Sequence, residues 1–482
     1  MSNIKRNFAY STILTTANYL FAFLTFPYIS RVLGVTNLGI CNFVDSVINY
    51  FTFFSLMGIS IMGVRSIAAE KGNEKSLSET FSFLFWLNTI STAVVLVALV
   101  ACTELVPKLH EHRHLMYLGA VKVLFTYLSV DWFYKGMENF RFITRCGLGV
   151  RMAYVASVFL FVRQPDDYTT YYFLSAMMLV LVGLINLGYS TRLVRLRLTF
   201  DVKRHMGYVK SFFILGLYCL LTTMYTTFNI TYLGFACGET EVGYYTTATK
   251  LHTILLAIFT AFTGVMLPRM SSLVHEGDMG SFKSMLVKSF EFMLVFSLPL
   301  IVFAETLAPQ IIMFISGRGY ELAVTPMRLV MPLIFVIGYE QITVMQVLMP
   351  LKKDRAIFLG SCIGAAVGIA ANILLVGKMG SIGSAIVWML SEMAVLICSQ
   401  YFTTRYTGFR FPLAATLRHL ACAMPAVVVV YAASRIGGGN CFVQLLAGGV
   451  ALVVYYAVVF TRVMKEPILS TVVERVKQKM GR

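Results

Sequence analysis

Long apolar runs alternate with short polar loops along the whole chain. A helix needs roughly 20 apolar residues to cross a bilayer. A transmembrane β-barrel would instead show alternating segments of about ten residues. The pattern therefore predicts an all-α, polytopic membrane protein with about 14 transmembrane helices, beginning near Phe8, Leu38, Glu79, Leu115, Ile143, Thr169, Val209, Glu241, Ser284, Glu321, Ala356, Ser381, Thr416 and Cys441.

Composition supports lipid as the main solvent of this chain. Hydrophobic residues make up 58% of it and charged residues only 13%, against about 25% charged in ordinary soluble proteins. The first run, from Phe8 to about Ser30, is longer than a signal-peptide core and lacks a small-residue cleavage site, so we expect it to be retained. No zinc-type cysteine spacing and no GxxxxGK[ST] phosphate loop is present, and no cofactor is predicted.

Lysines and arginines fall unevenly on the alternate loops. If the N-terminus is cytoplasmic, 29 of the 40 basic residues lie on inner loops, eight lie on outer loops, and three remain within the runs. Cytoplasmic loops of membrane proteins carry such an excess, so both termini are predicted to be cytoplasmic. The net charge of +17 is dispersed over these loops, which favours contact with anionic lipid headgroups over nucleic-acid binding.

Short matches between distant segments predict an internal duplication. The matched positions lie 200 or 204 residues apart and are Gly34 with Gly234, Gly39 with Gly243, and Arg65 with Arg269. Six helices separate them, so the two halves would run in the same direction, with substrate between them. The predicted domains are two six-helix lobes and a pair of appended helices with a cytoplasmic tail, over residues 1–205, 206–410 and 411–482.

Three cations remain inside the predicted helices: Lys122, Arg151 and Lys250. Ionisable groups in a bilayer are expensive unless they are paired or line a wet cavity, so they are candidates for a function. Such cations suit an anionic cargo such as a phosphate or pyrophosphate headgroup. The alternative is internal neutralisation by Asp45 or Asp131. Because Lys250 is one position from the repeat equivalent of Asp45, those two residues could also form a pair between the halves.

Two carboxylates, Glu340 and Glu392, lie in the middle of the tenth and twelfth runs. A desolvated carboxylate at such a position can exchange protons or bind Na⁺, so both are candidates for ion coupling. The loop with His110, His112 and His114 invites a metal interpretation, but Arg113 is unfavourable beside a metal cation. No metal site is predicted.

Several short motifs extend over most of the chain: PYISRVLG at 27–34, GVRSIA at 63–68, DWFYKGMENF at 131–140, EVGYYTTATK at 241–250, LPRMSSL at 267–273 and GSIGSAIVWMLSE at 380–392. On these residues the chain resembles bacterial polysaccharide-unit flippases of the O-antigen or capsule type, within the multidrug/oligosaccharidyl-lipid/polysaccharide exporter superfamily. It departs from that family at Lys135, where glutamine is usual.

The resemblance implies two six-helix lobes with two trailing helices, in the bacterial inner membrane. It also implies alternating access, with an undecaprenyl-pyrophosphate-linked oligosaccharide moving from the inner to the outer leaflet, and possible contact with polysaccharide assembly proteins. The predicted substrate-binding residues are Arg31, Lys122, Arg151 and Lys250. The predicted coupling or partner groups, for H⁺ or Na⁺, are Asp45, Glu340 and Glu392.

Three alternatives are open. A cation-coupled multidrug exporter of the same superfamily would favour acidic and aromatic cavity groups, whereas this chain keeps three buried cations. The sequence distinguishes a flippase for a cell-wall precursor less clearly from a flippase for polysaccharide units. A membrane polymerase or acyltransferase would need catalytic residues within reach of substrate, and no such constellation is visible, so the chain is not predicted to be an enzyme.

Overall fold

A computed structural model describes residues 2–197 and 206–463. Within these ranges every regular element is a helix and none is a strand, which confirms the all-α prediction. The helices α1 to α9 are Ser2–Leu56, Ile59–Ala69, Glu74–Leu105, Pro107–Glu111, Arg113–Leu128, Asp131–Gly136, Phe140–Phe161, Tyr168–Ser190 and Met206–Cys237. The helices α10 to α18 are Glu239–Glu276, Met279–Thr306, Ala308–Ser316, Val324–Val330, Leu333–Gln341, Asp354–Ala371, Gly377–Thr407, Leu413–Ser434 and Cys441–Val458.

Ten helical stretches among the described residues are long and apolar enough to cross a membrane. Two of them are 50 and 54 residues long, about twice the length that one crossing requires. Each contains a glycine with positive φ where the helix breaks, Gly34 (φ 74°) and Gly380 (φ 56°). Glycine has no Cβ and adopts this conformation without strain. The chain is thus multi-pass, and the number fourteen remains a prediction.

The chain divides into two compact units, Met1–Gly243 and Tyr244–Arg482. In the first unit, α1 packs against α3, α5, α7 and α9, and α5 packs against α8. The short helix α6 is buried here: the Trp132 ring stacks on Phe81 with centroids 5.5 Å apart. A Cβ on Gly63 would lie 2.7 Å from the Trp132 ring, so glycine there allows α2 and α6 to approach closely.

In the second unit, α16 packs against α13, α14 and α15. A Cβ on Gly364 would lie 2.4 Å from a methyl carbon of Val395, so α15 and α16 are in close contact. The last two helices pack against each other and against α11, and α18 also contacts α12. The predicted boundaries at residues 205 and 410 do not coincide with the division at Gly243, and the three-part organisation remains a prediction.

The internal repeat has a backbone counterpart in the first unit. Gly34 breaks α1, and Gly238, with φ 89°, separates α9 from α10. These two glycines are 204 positions apart. Gly234, which the sequence pattern pairs with Gly34, instead lies inside α9 against the Phe43 ring. The structural partner of Gly34 is therefore Gly238, and the same offset of 204 residues relates it to the other matched positions.

Candidate functional site

Lys122 is neutralised within its own unit. Its ammonium lies 2.7 Å from Asp45 Oδ1 and 3.6 Å from the centre of the Tyr172 ring. The Lys122 side chain is 9% exposed, whereas that of Asp45 is 46% exposed. The second half of α1 carries Asp45, and α5 carries Lys122. The geometry thus favours the internal-neutralisation alternative for Lys122 and gives Asp45 a nearby partner other than Lys250.

Arg151 lies half-buried on α7, and the absence of a side chain at Gly147 leaves room for it. A Cβ on Gly147 would lie 2.9 Å from Arg151 Nη1. Asp131, at the start of α6, is the carboxylate that attracts Arg151, and it also accepts a 3.2 Å hydrogen bond from Asn186 Nδ2. Part of the Asp131 side chain lies at the surface of the structure. This part of the first unit therefore places a cation near an anion.

The other two predicted cations occupy separate helices. Arg31 is exposed near the end of the first half of α1, three positions before Gly34. Lys250 is half-buried on α10. Both residues have interaction partners. Neither Arg31 nor Lys250 is therefore without a partner.

The two predicted coupling residues of the second unit, Glu340 and Glu392, lie close to each other in the structure. Glu340 lies on α14 and Glu392 on α16, and their carboxyl groups are close enough to interact electrostatically. Glu392 is 4% exposed and accepts a 2.9 Å hydrogen bond from Trp388 Nε1. Two carboxylates in contact, away from water, need a proton or a metal cation to offset their mutual repulsion. This pair is a built acidic site in the second unit.

Two features of the acidic site were missed by sequence reasoning. His252, on α10, is fully buried, and its ring lies 4.9 Å from the Trp388 ring in an edge-on arrangement. In the sequence, His252 could have been noticed as a single histidine within an apolar run. The helix also changes to a π-helical turn over Ile342–Leu348, directly after Glu340. Such turns occur frequently at functional sites.

Within the first unit, α1 after its break and α10 at its start cross in very close, reciprocal contact. A Cβ on Gly39 would lie 1.9 Å from the backbone oxygen of Glu239, and a Cβ on Gly243 would lie 2.2 Å from that of Val35. These positions are related by the offset of 204, as are Thr36 and Thr240, whose hydroxyl oxygens lie 3.0 Å apart. We name this contact, formed by residues 35–39 and 239–243, the glycine crossing.

A polar cluster holds the start of α10 beside the glycine crossing. Glu239 Oε1 lies 2.5 Å from Lys108 Nζ and 3.1 Å from His112 Nε2. Glu111 joins His112 and Glu239 in a group whose potential ligand atoms all lie within 4.8 Å. The Lys108 ammonium lies against Glu239 Oε1, and a positive charge there is unfavourable beside a metal cation. The arrangement is therefore that of an ion-pair cluster.

Known proteins resemble the chain along most of its length. The sequence model of a family described as "Polysaccharide biosynthesis protein" matches residues 4–274, more than half of the chain. A protein of Escherichia coli (strain K12) named "Putative O-antigen transporter" is 25% identical over 405 residues, which cover 82% of this chain and 95% of that protein.

Two solved structures are similar in fold. The lipid II flippase MurJ, in an inward closed conformation, superposes with a TM-score of 0.77 at 15% identity, over 95% of this chain and 100% of that one. An inward-facing multidrug resistance transporter of the MATE family superposes with a TM-score of 0.64 at 14% identity, over 82% of this chain and 94% of that one. At these identities the likeness concerns the fold alone.

Proposed function

This chain belongs to the polysaccharide biosynthesis protein family, and we propose that it is a flippase for undecaprenyl-pyrophosphate-linked oligosaccharide units. The observation that carries the proposal is the match to the E. coli protein, whose name is that of an O-antigen transporter, over 95% of that protein's length. The relative is named as a transporter and not as an enzyme, in agreement with the sequence-based prediction. The cargo would move from the inner to the outer leaflet of the bacterial inner membrane.

Alternating access is the proposed mechanism, and the glycine crossing supports it. Gly39 and Gly243 permit backbone contact without interlocking side chains, so this contact can form and separate without repacking of side chains at the two glycines. The positive-φ glycines Gly34 and Gly238 lie just before the two crossing segments and provide backbone freedom there. We propose that the glycine crossing is a gate that separates during each transport cycle.

Recognition of the cargo's pyrophosphate is assigned to the cations in the helices. Arg151 and Lys250 are half-buried, and an arginine can hold a phosphate through two parallel hydrogen bonds. Arg31 is exposed and would make an outer contact. Lys122, already paired with Asp45, would act by exchanging its carboxylate partner for the cargo's phosphate, a switch that the exposed side of Asp45 allows.

The acidic site of Glu340 and Glu392 is the proposed coupling site for H⁺ or Na⁺. Binding or release of a cation changes the repulsion between the two carboxylates. Both residues lie on helices that pack against each other in the second unit. A change in their spacing would therefore move α14 relative to α16 and link the ion to the conformation of that unit.

The proposed function predicts where the cargo lies when this protein is missing. In spheroplasts of host cells lacking the protein, sugars of the lipid-linked oligosaccharide should be protected from a membrane-impermeant oxidant such as periodate. Re-expression of the wild-type chain should make them accessible, because only outer-leaflet sugars react. Equal labelling with and without the protein, together with lower drug resistance in its absence, would replace the proposal by drug export.

A further inference from the structure

A groove with a basic end runs between α7 and α8 in the first unit. It encloses about 680 Å³ and is lined at one end by Asn139, Arg141 and Arg145 and at the other by Val150 and Ile185. Arg141 and Arg145 are one helical turn apart at the start of α7, so they share a face. Both are exposed.

The charge of this groove is not balanced by the protein around it. Among the described residues, no salt bridge includes Arg141 or Arg145, and the residues that line the groove include no acidic side chain. The nearby carboxylate of Asp131 interacts with Lys135 and Arg151 instead. The groove therefore offers two guanidinium groups to an external anion.

The far end of the groove has the character of a lipid contact. Ile185 is 43% exposed, and a Cβ on Gly149 would have no atom within 4 Å, so this part of the groove is open. Between the two ends, the Phe142 and Tyr189 rings stack with centroids 4.2 Å apart. Aromatic side chains with a polar group are typical of the membrane interface. A soluble anion would use the arginines but not the apolar half.

We propose that the groove between α7 and α8 binds an anionic phospholipid, with its phosphate on Arg141 and Arg145 and the start of one acyl chain beside Gly149 and Ile185. The predicted topology places both arginines on the cytoplasmic side, where anionic headgroups attract basic residues that flank helices. Basic pockets between transmembrane helices are a known form of lipid recognition. None of the residues that line the groove is among those predicted to bind the cargo.

Native mass spectrometry of the purified full-length protein tests the proposal, with dioctanoyl phosphatidylglycerol and dioctanoyl phosphatidylcholine as probes. The wild type should prefer the anionic lipid by about thirtyfold, given the attraction of about 1 kcal/mol that each of the two basic residues contributes at a membrane surface. Arg141→Gln with Arg145→Gln should reduce the preference to about twofold or less. Gly149→Phe, which fills open space and favours helix, should weaken binding of both lipids while the protein stays folded.

A matched control exists in the second unit. Arg269 and Lys288 line another opening, of about 390 Å³, but Asp278 acts on Arg269 there. Arg269→Gln with Lys288→Gln should leave the lipid preference unchanged. An equal loss in this control, or a preference that survives in the Arg141 and Arg145 variant, would overturn the proposal. So would displacement of phosphatidylglycerol by inorganic phosphate, or by a polyprenyl pyrophosphate at much lower concentration, since the groove would then be a simple anion site or a cargo-loading site.

Discussion

A disulfide between positions 36 and 240 is expected to reduce lipid-linked oligosaccharide exchange to the protein-free rate. The Thr36 and Thr240 hydroxyl oxygens lie 3.0 Å apart in the glycine crossing, so Thr36→Cys with Thr240→Cys brings two thiols within bonding reach. Thr240 is at the start of α10, which continues into the second unit. A covalent bond here prevents the separation that alternating access requires. Exchange in proteoliposomes, measured before and after oxidation, checks this.

The variant needs a background without the nine native cysteines. A reductant should restore exchange, and each single-substitution variant should be insensitive to oxidant. The matched control is Ser55→Cys with Thr92→Cys, because those hydroxyls lie 2.6 Å apart between α1 and α3, away from the crossing. Its oxidation should leave exchange unchanged. Full exchange by the protein with an oxidised bridge between positions 36 and 240 would show that the crossing is not a gate.

Replacing either carboxylate of the acidic site is expected to uncouple transport from an ion gradient. Glu340→Gln and Glu392→Gln each remove one negative charge but keep a hydrogen-bonding group of similar shape, so the fold should persist. The remaining single carboxylate no longer needs a shared cation. The ratio of exchange rates with and without a proton or sodium gradient should therefore fall to about one, in proteoliposomes that impose each gradient separately.

Glu321→Gln is the control for this prediction. Glu321 is an exposed carboxylate of the second unit whose Oε1 accepts a hydrogen bond from the Gly319 backbone, 3.1 Å away. Its loss should leave gradient stimulation at the wild-type level. If Glu340→Gln and Glu392→Gln keep that stimulation, the acidic site has a structural role and does not couple transport to an ion.

Periodicity and length were sufficient to predict the helical membrane fold, and the resemblance of several short motifs indicated its family. Continuous apolar runs can only be helices in a bilayer, because every backbone polar group must be satisfied within its own segment. Helix ends were harder to place. The helix breaks at Gly34 and Gly238 are defined by positive φ angles, which the sequence does not show. Gly234 is also a glycine and lies close to Gly238, so the sequence alone could not distinguish the two as partners of Gly34. The repeat was therefore aligned four residues out of register at that point.

The sequence predicted which residues belong to the candidate site better than it predicted which of them are in contact. Charges within apolar runs stand out in the sequence, so Lys122, Asp45, Glu340 and Glu392 were all found. Their partners depend on the rotation of each helix, which uniformly apolar faces do not reveal. Lys122 meets Asp45 across 77 positions, and His252 reaches Trp388 across the second unit. The roles of Arg31, Arg151 and Lys250 stay predictions.

Leaflet exchange in liposomes measures the proposed flippase activity itself. The purified protein would be reconstituted with an undecaprenyl-pyrophosphate-linked oligosaccharide, and sugars on the outer leaflet would be oxidised by an impermeant reagent over time. The protected fraction is expected to disappear in vesicles that contain the protein and to persist in protein-free vesicles. A protected fraction that persists equally in both, with gradient-driven efflux of a cationic dye from the same protein, would contradict it.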